Sequence, residues 1–137
     1  MKNNNQTLSY DDVLLRPQYS DIRSRTEIDI STDLGNGVIL QLPIFSSPMD
    51  TISESAMANT MSESGASAII HRYNTVKEQV SQINRVNSPR IVGGAIGISG
   101  DYLERASALV EAGCEYLCVD VAHGHHILMK EALEKLR

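Results

Sequence analysis

The feature that most constrains the fold is a fourfold alternation of short apolar runs with amphipathic segments, which begins at Pro43. Each pair occupies roughly 20–25 residues, the length of one strand–helix unit in a parallel α/β fold. The predicted strands span residues 43–49, 66–70, 90–98 and 114–121. The predicted helices span residues 53–64, 75–86, 102–112 and 125–136. Strands that alternate with helices in this way are typical of a parallel sheet.

Residues that cap helices support these boundaries. Ser53 is a candidate N-cap of the first helix, and Thr75 with Glu78 has the spacing of a capping box. Gly65 and Gly113 follow predicted helices, which commonly end at a glycine. The predicted buried faces are formed by apolar residues at helical spacing: Ala56, Met57, Met61; Val76, Val80, Ile83; Leu103, Ala106, Leu109, Val110; Ile127, Leu128, Ala132, Leu136.

The first part of the chain has a different pattern, and we divide the sequence into an N-terminal segment, residues 1–42, and the strand–helix repeat, residues 43–137. Residues 8–17 are compatible with either a short strand or a hairpin that ends at the proline. Residues 27–31 alternate polar and apolar side chains, which predicts a half-buried strand. A turn signal at residues 34–37 and an apolar run at 38–40 predict the second half of a β-hairpin.

Composition excludes several classes of protein. The chain is 42% hydrophobic and 21% charged with a net charge of −5, which argues against a disordered chain, a nucleic-acid partner or a polybasic membrane site. No apolar run approaches the ~20 residues that span a bilayer. Cys114 and Cys118 would lie about 13 Å apart on one strand, too far for a disulfide, so we expect a reducing, cytoplasmic location.

Unusual polar and glycine residues fall where the predicted strands end. They form four groups, residues 47–50, 71–72, 97–100 and 120–126. The repeat itself is compatible with a flavodoxin-like open sheet or with part of a closed barrel. In both architectures, loops at the carboxyl ends of the strands carry the binding site.

Five sequence motifs resemble those of the IMP dehydrogenase/GMP reductase family, in the family's order and over nearly the whole chain. They are YDDVLLRP at residues 10–17, SRTEID at 24–29, PIFSSPMDT at 43–51, IIHR at 69–72 and VDVAHGH at 119–125. The resemblance implies a TIM (β/α)8 barrel of which this chain supplies the first four β/α units, and it favours the barrel over the open sheet.

The resemblance also implies roles for individual residues. Ser47 and Met49 would lie against the purine nucleotide, where a soft thioether suits contact with a flat base. Asp120 would accept hydrogen bonds from the nicotinamide-side ribose, and Arg72, Val121 and Ala122 would line the same cofactor site, for NADP or NAD. The structural alternatives are a core position for Met49, a helix N-cap for Asp120 and a surface ion pair for Arg72.

Other candidate sites are weaker. His123, His125 and His126 lack a nearby set of carboxylates or thiolates, so we predict no metal. The glycines at 94, 97 and 100 lack the G-x-G opening of a dinucleotide fingerprint. Cys114 and Cys118 are expected to be small buried residues of the fourth strand and do not match the family's nucleophile.

In this family a cysteine thiolate adds to C2 of a purine nucleotide and a hydride moves between that carbon and a nicotinamide. We expect that cysteine beyond residue 137, in the second half of the barrel, and we expect residues 1–137 alone to be inactive. The implied partners are GMP or IMP, the remaining half of the barrel and further copies of the chain, as in the family's tetramer.

The reaction has three candidates. The direct connection at residues 87–89, which leaves no room for a regulatory insert, and Val121 after Asp120 favour an NADPH-dependent GMP reductase. Residues 46–49 resemble the dehydrogenase version more closely, so an NAD-dependent IMP dehydrogenase without the insert is the alternative. A non-catalytic half-barrel that assembles with a partner is a third interpretation.

Overall fold

The computed structural model describes residues 7–87 and 91–137. The predicted start of the third strand at Arg90, and most of the predicted direct connection at residues 87–89, lie outside the described residues. The described N-terminal segment contains a small antiparallel hairpin of β1, Thr32–Asp33, and β2, Ile39–Leu40. Its turn is formed by Gly35, Asn36 and Gly37, all with positive φ, and the hairpin prediction is confirmed for this turn and the second strand.

Two predictions for the N-terminal segment are wrong. Residues 27–31 form no strand, because Ser24 caps a single 3-10 turn at Arg25–Glu27 and Asp29 Oδ1 accepts a hydrogen bond from Ser31 N at 2.8 Å. Residues 8–17 form neither strand nor hairpin but one 3-10 turn, Tyr10–Asp12. In each case a short polar side chain bonds to nearby backbone, which competes with pairing between strands.

The repeat forms a four-stranded parallel sheet whose strands follow the order of the chain. The strands are β3, Phe45–Ser46; β4, Ser67–Ile70; β5, Val92–Ile96; and β6, Tyr116–Val119. Each pairs only with its neighbours in the order β3-β4-β5-β6. A flavodoxin-like sheet would begin in the order 2-1-3, so the observed order contradicts that architecture.

A helix follows each strand of the sheet. The helices are α1, Ser55–Glu63; α2, Val76–Asn84; α3, Tyr102–Glu111; and α4, Ile127–Leu136. The capping box of α2 is confirmed, since Glu78 N donates to Thr75 Oγ1 at 3.2 Å and Thr75 N donates to Glu78 Oε2 at 2.9 Å. The predicted N-cap of α1 is wrong, because Glu54 occupies that position and Ser53 is fully buried.

The hydrophobic core lies between the helices and one face of the sheet. Ile83, Ala106, Leu109 and Ala132 are buried, as their spacing predicted. The predicted inward positions Ala56, Leu103, Val110, Ile127 and Leu128 are instead exposed. The buried faces of the first three helices also include residues that the spacing did not predict: Ala58 and Ser62 in α1, Gln79 in α2, Tyr102 and Arg105 in α3.

A buried polar cluster explains why Gln79 and Arg105 are buried. Gln79 Nε2 donates to the carbonyl oxygens of Ile70 and Ala95, at 3.1 and 2.9 Å. Its Oε1 accepts from Arg105 Nη1 at 2.7 Å, and Arg105 Nη2 donates to Asp101 Oδ2 at 2.8 Å. Hydrogen bonds to every part of the guanidinium and the amide compensate for their burial. The cluster ties α2 and α3 to the carboxyl halves of β4 and β5.

The other face of the sheet carries an aromatic side chain that crosses a glycine. Tyr116 on β6 reaches over Gly93 on β5 so that its hydroxyl lies 2.6 Å from Ser67 Oγ on β4. A Cβ at Gly93 would lie only 2.1 Å from the tyrosine ring. Burial raises the pKa of Tyr116 to about 12, so the hydroxyl keeps its proton near neutral pH. Phe45 packs edge-on against the same ring at 5.8 Å.

Candidate functional site

The loops after β4, β5 and β6 enclose a cleft of about 360 Å³ at the carboxyl ends of the strands. Parallel strands place these loops at one edge, where α/β proteins bind their ligands. The lining residues are Arg72; Gly97, Ile98 and Ser99; Asp120, Val121, Ala122 and His123; His126 and Leu128. All four residues predicted for the cofactor side therefore meet in one cleft.

An ion pair between Arg72 and Asp120 spans the cleft from β4 to β6. Arg72 Nε donates to Asp120 Oδ2 at 3.2 Å, and Arg72 Nη2 donates to the Asp120 carbonyl oxygen at 3.2 Å. The guanidinium lies over the ring of Tyr73, with Cζ 5.4 Å from its centroid. Both charged side chains keep about a third of their surface exposed, so a ligand in the cleft can reach them.

Asp120 does not cap the helix that follows it. The N-cap of α4 is His126, whose Nδ1 accepts from Leu128 N at 3.1 Å. Among the described residues, only Oδ2 of the Asp120 carboxylate accepts a hydrogen bond. The alternative role as an N-cap is therefore wrong, and Oδ1 is available to a ligand.

The loop after β3 holds the predicted nucleotide-side residues outside this cleft. Met49 is 51% exposed, so the alternative of a core position is wrong. Ser47 O accepts from Met49 N at 2.7 Å, and Met49 O accepts from Ser53 N at 3.0 Å. Thr51 has a positive φ of 61° in this tight loop. Ser47 and Met49 thus lie at the carboxyl end of β3, beside the cleft but not among its lining residues.

His71, immediately before Arg72, is buried and held at both ring nitrogens. Nδ1 accepts from Tyr73 N at 3.2 Å, so the ring proton is on Nε2, which lies 3.3 Å from Glu54 Oε1. Its backbone N–H donates to Ser53 O at 3.3 Å. These three bonds fix the backbone that leads into Arg72.

Two of the weaker candidates, His123 and His126, line the cleft, and His126 caps α4. Within residues 7–87 and 91–137 no group of three or more His, Cys, Asp or Glu side chains is arranged to hold a metal. His123 and His126 contact each other edge-on, with ring centroids 6.3 Å apart. A second groove, of about 530 Å³, runs along α4 from Gly124 to Arg137, away from the Arg72–Asp120 pair.

Neither cysteine resembles an activated nucleophile. Cys114 is buried and lies before β6 rather than within it, and its thiol donates to Tyr116 O at 2.9 Å. Cys118 is half-buried on β6, where burial, and to a smaller extent the charge of Asp120, raise the pKa of its thiol. A catalytic cysteine needs the opposite shift, toward the thiolate.

Sequence reasoning missed several residues that support the site. Ser53, Glu54, Gln79 and Arg105 all bond to the backbone or side chains behind the strand ends. The sequence signal was Gln79, which lies where the helical spacing of α2 predicts an apolar residue.

No helix in the part of the chain that the structure describes is long and apolar enough to cross a membrane.

Comparisons with known proteins agree with the motifs. A family profile described as "IMP dehydrogenase / GMP reductase domain" matches residues 7–137. An inosine-5'-monophosphate dehydrogenase of Nitrosopumilus maritimus is 36% identical over 80% of this chain and 22% of its own length. A GMP reductase of Leishmania donovani is 43% identical over 58% of this chain and 16% of its own length.

The fold has a solved counterpart. The crystal structure of inosine 5' monophosphate dehydrogenase from Legionella pneumophila matches 96% of this chain with a TM-score of 0.84 and 38% identity, over 41% of that protein. The chain therefore spans less than half the length of these relatives. On the profile match and the fold together, the chain belongs to the IMP dehydrogenase/GMP reductase family.

Proposed function

We propose that residues 43–137 supply the first four β/α units of a (β/α)8 barrel in a purine nucleotide oxidoreductase, with residues 1–42 as a separate N-terminal segment. Support comes from the sequential parallel order β3-β4-β5-β6 with a helix after each strand. This chain also matches 41% of the Legionella protein, a share close to one half, which is consistent with half of a barrel. The remaining strands would come from the rest of the polypeptide.

The observation that carries the function is the cleft around Asp120 and Arg72. A nicotinamide dinucleotide offers vicinal ribose hydroxyls, and Asp120 Oδ1 can accept hydrogen bonds from them. Arg72 holds Oδ2 and thereby fixes the orientation of the carboxylate. Val121 and Ala122 give the same cleft an apolar wall suited to the nicotinamide ring. When bound, the cofactor supplies the hydride chemistry.

On the nucleotide side, Ser47 and Met49 would contact the purine nucleotide from the loop after β3. The exposed Met49 thioether can pack on the base, and the Ser47 hydroxyl can hydrogen-bond to the nucleotide. The nucleophilic cysteine would lie outside residues 1–137, because Cys114 is buried before β6 and burial raises the pKa of the Cys118 thiol. We expect the complete enzyme to be a homo-oligomer.

For the reaction, we favour NADPH-dependent reductive deamination of GMP to IMP. Val121 after Asp120 supports this choice. NAD-dependent oxidation of IMP is the second candidate, because residues 46–49 resemble the dehydrogenase motif more closely and relatives of both kinds match. A non-catalytic half-barrel is the third.

One set of assays on the complete enzyme separates these candidates. Nicotinamide absorbance is followed with GMP plus NADPH and, separately, with IMP plus NAD. We expect NADPH consumption with GMP and release of ammonia. NADH formation from IMP would assign the dehydrogenase instead, and turnover of neither substrate pair would favour the non-catalytic half-barrel.

A further inference from the structure

Ser53 lies between the nucleotide side and the cofactor side of the candidate site, and each of its polar atoms forms a hydrogen bond. It is fully buried at the end of the loop that joins β3 to α1. Its hydroxyl donates toward Ser46 Oγ and the Ser47 carbonyl oxygen. Its N–H donates to Met49 O, and its carbonyl oxygen accepts from His71 N. None of these hydrogen bonds caps α1, which is the role that the sequence predicted for Ser53.

The partners of Ser53 belong to both sides of the site. Two of them, Ser47 and Met49, carry the proposed contacts to the purine nucleotide. Ser46 belongs to β3, and His71 leads directly into Arg72, which holds Asp120. Glu54, the next residue, lies 3.3 Å from the His71 ring. The buried Ser53 and its partly exposed neighbour Glu54 thus connect the loop after β3 to the loop after β4.

We propose that Ser53 is a positioning residue that holds the nucleotide-side loop, residues 47–52, in register with the His71–Arg72 segment on the cofactor side. The assignment rests on the proposed function of those two sides. Without the hydroxyl, Ser46 Oγ and Ser47 O lose a shared donor, so the start of the loop is released from Ser53 while the backbone bond from His71 N to Ser53 O and the sheet stay intact. The residue touches neither ligand.

The chain offers a closely matched control in Ser62. Ser62 is also a buried serine, within α1, and its hydroxyl donates to Ile91 O at 3.2 Å. Ile91 precedes β5, at the end of the sheet opposite the cleft. In both alanine variants the carbonyl keeps a second donor, Met49 N for Ser47 O and Ser67 Oγ for Ile91 O. Each substitution therefore removes one buried hydroxyl and leaves its carbonyl acceptor with another donor, and the two sites differ in location.

The test measures thermal stability and Michaelis constants of the complete enzyme carrying Ser53→Ala or Ser62→Ala. Both should lower the melting temperature by a similar amount. Only Ser53→Ala should raise the KM for the purine nucleotide, by roughly three- to tenfold, the range for one lost hydrogen bond. In a Met49→Ala background the effect of Ser53→Ala on this KM should shrink, since both act through one loop.

Equal KM values for the Ser53→Ala and Ser62→Ala enzymes, or full additivity with Met49→Ala, would overturn the role of Ser53. If Ser53→Ala does not fold, Ser53→Cys gives the same comparison, because its thiol is a weak donor of nearly the same shape. Absence of turnover in the unmodified enzyme would instead count against the proposed function, so the two failures are distinguishable.

Discussion

The Arg72–Asp120 ion pair is expected to contribute little to folding, whereas we propose that it contributes to cofactor binding. Both side chains are partly exposed, and pairs of this kind typically stabilise a protein by only about 0–1 kcal/mol. A bound cofactor would cover the pair and exclude water from it. The same carboxylate then becomes a charged hydrogen-bond partner, for which the cost of removal is larger.

We therefore expect Asp120→Ala in the complete enzyme to weaken nicotinamide-cofactor binding by about 1.5–3 kcal/mol with little change in melting temperature. Steady-state kinetics at varied cofactor concentration would measure the first effect, and thermal unfolding the second. Glu134→Ala is a suitable control, since it removes an exposed carboxylate paired with Lys130 on α4. An unchanged cofactor KM together with a large loss of stability would show that Asp120 has a purely structural role.

At this scale, the sequence predicted the residues that line the cleft better than the residues behind them. Arg72 and Asp120 lie at or just after the carboxyl ends of predicted strands, and the parallel arrangement alone brings such positions together. Ser53 has the same residue type as an N-cap, and only the three-dimensional path of the loop shows that its bonds go to β3 and His71 instead. Partners that are distant in sequence leave no local pattern.

Among the elements, β5 and β6 are joined by an unusually close contact. The ring of Tyr116 occupies the space that any side chain at Gly93 would need. The proximity of the Tyr116 ring requires glycine at position 93. The backbone conformation does not, because Gly93 does not have a positive φ. The tyrosine hydroxyl in turn reaches Ser67, so β4, β5 and β6 are joined by one side chain.

We predict that Gly93→Ala lowers the free energy of unfolding by about 1–3 kcal/mol, the usual cost of overpacking. Chemical denaturation followed by circular dichroism would measure the change. Gly124→Ala is the matched control, because a Cβ there meets open space and its φ is not positive. Equal stability of the two variants would mean that the Tyr116 ring moves aside at no cost.

In residues 43–137 the order and type of the elements followed from periodicity, but the buried faces of the helices followed only in part. In α3 the exposed Leu103 and Val110 were predicted to be buried, while the buried Arg105 was not. Arg105 is inside because Gln79 and Asp101 accept its hydrogen bonds. In α4, Ile127 and Leu128 are exposed because no described element covers that side of the helix. Periodicity identifies a helix, whereas its buried side depends on what lies opposite.

For the whole molecule, the main feature is apolar surface without a partner. Residues 7–30 are exposed throughout, and Tyr10, Leu14, Leu15 and Tyr19 are each at least 95% exposed. In the described residues β3 and β6 each pair on one side only. Unpaired strand edges and contiguous apolar patches favour association.

We therefore expect residues 1–137, when produced alone, to self-associate and to turn over neither GMP nor IMP. A two-fold dimer that restores an eight-stranded barrel is the simplest form. Sedimentation over a range of concentrations would measure the association, and nicotinamide absorbance on the same sample would measure turnover. A folded monomer at all concentrations, or turnover that depends on the nucleotide, would contradict this expectation.

The strand order also bears on how the chain acquires its structure during synthesis. Each of β4, β5 and β6 pairs with the strand immediately before it in the sequence. Its contacts are therefore made across one intervening helix, and loops of that length close at a modest entropic cost. As the chain leaves the ribosome, each new strand finds its partner already made, so the sheet can grow one unit at a time from its amino-terminal end.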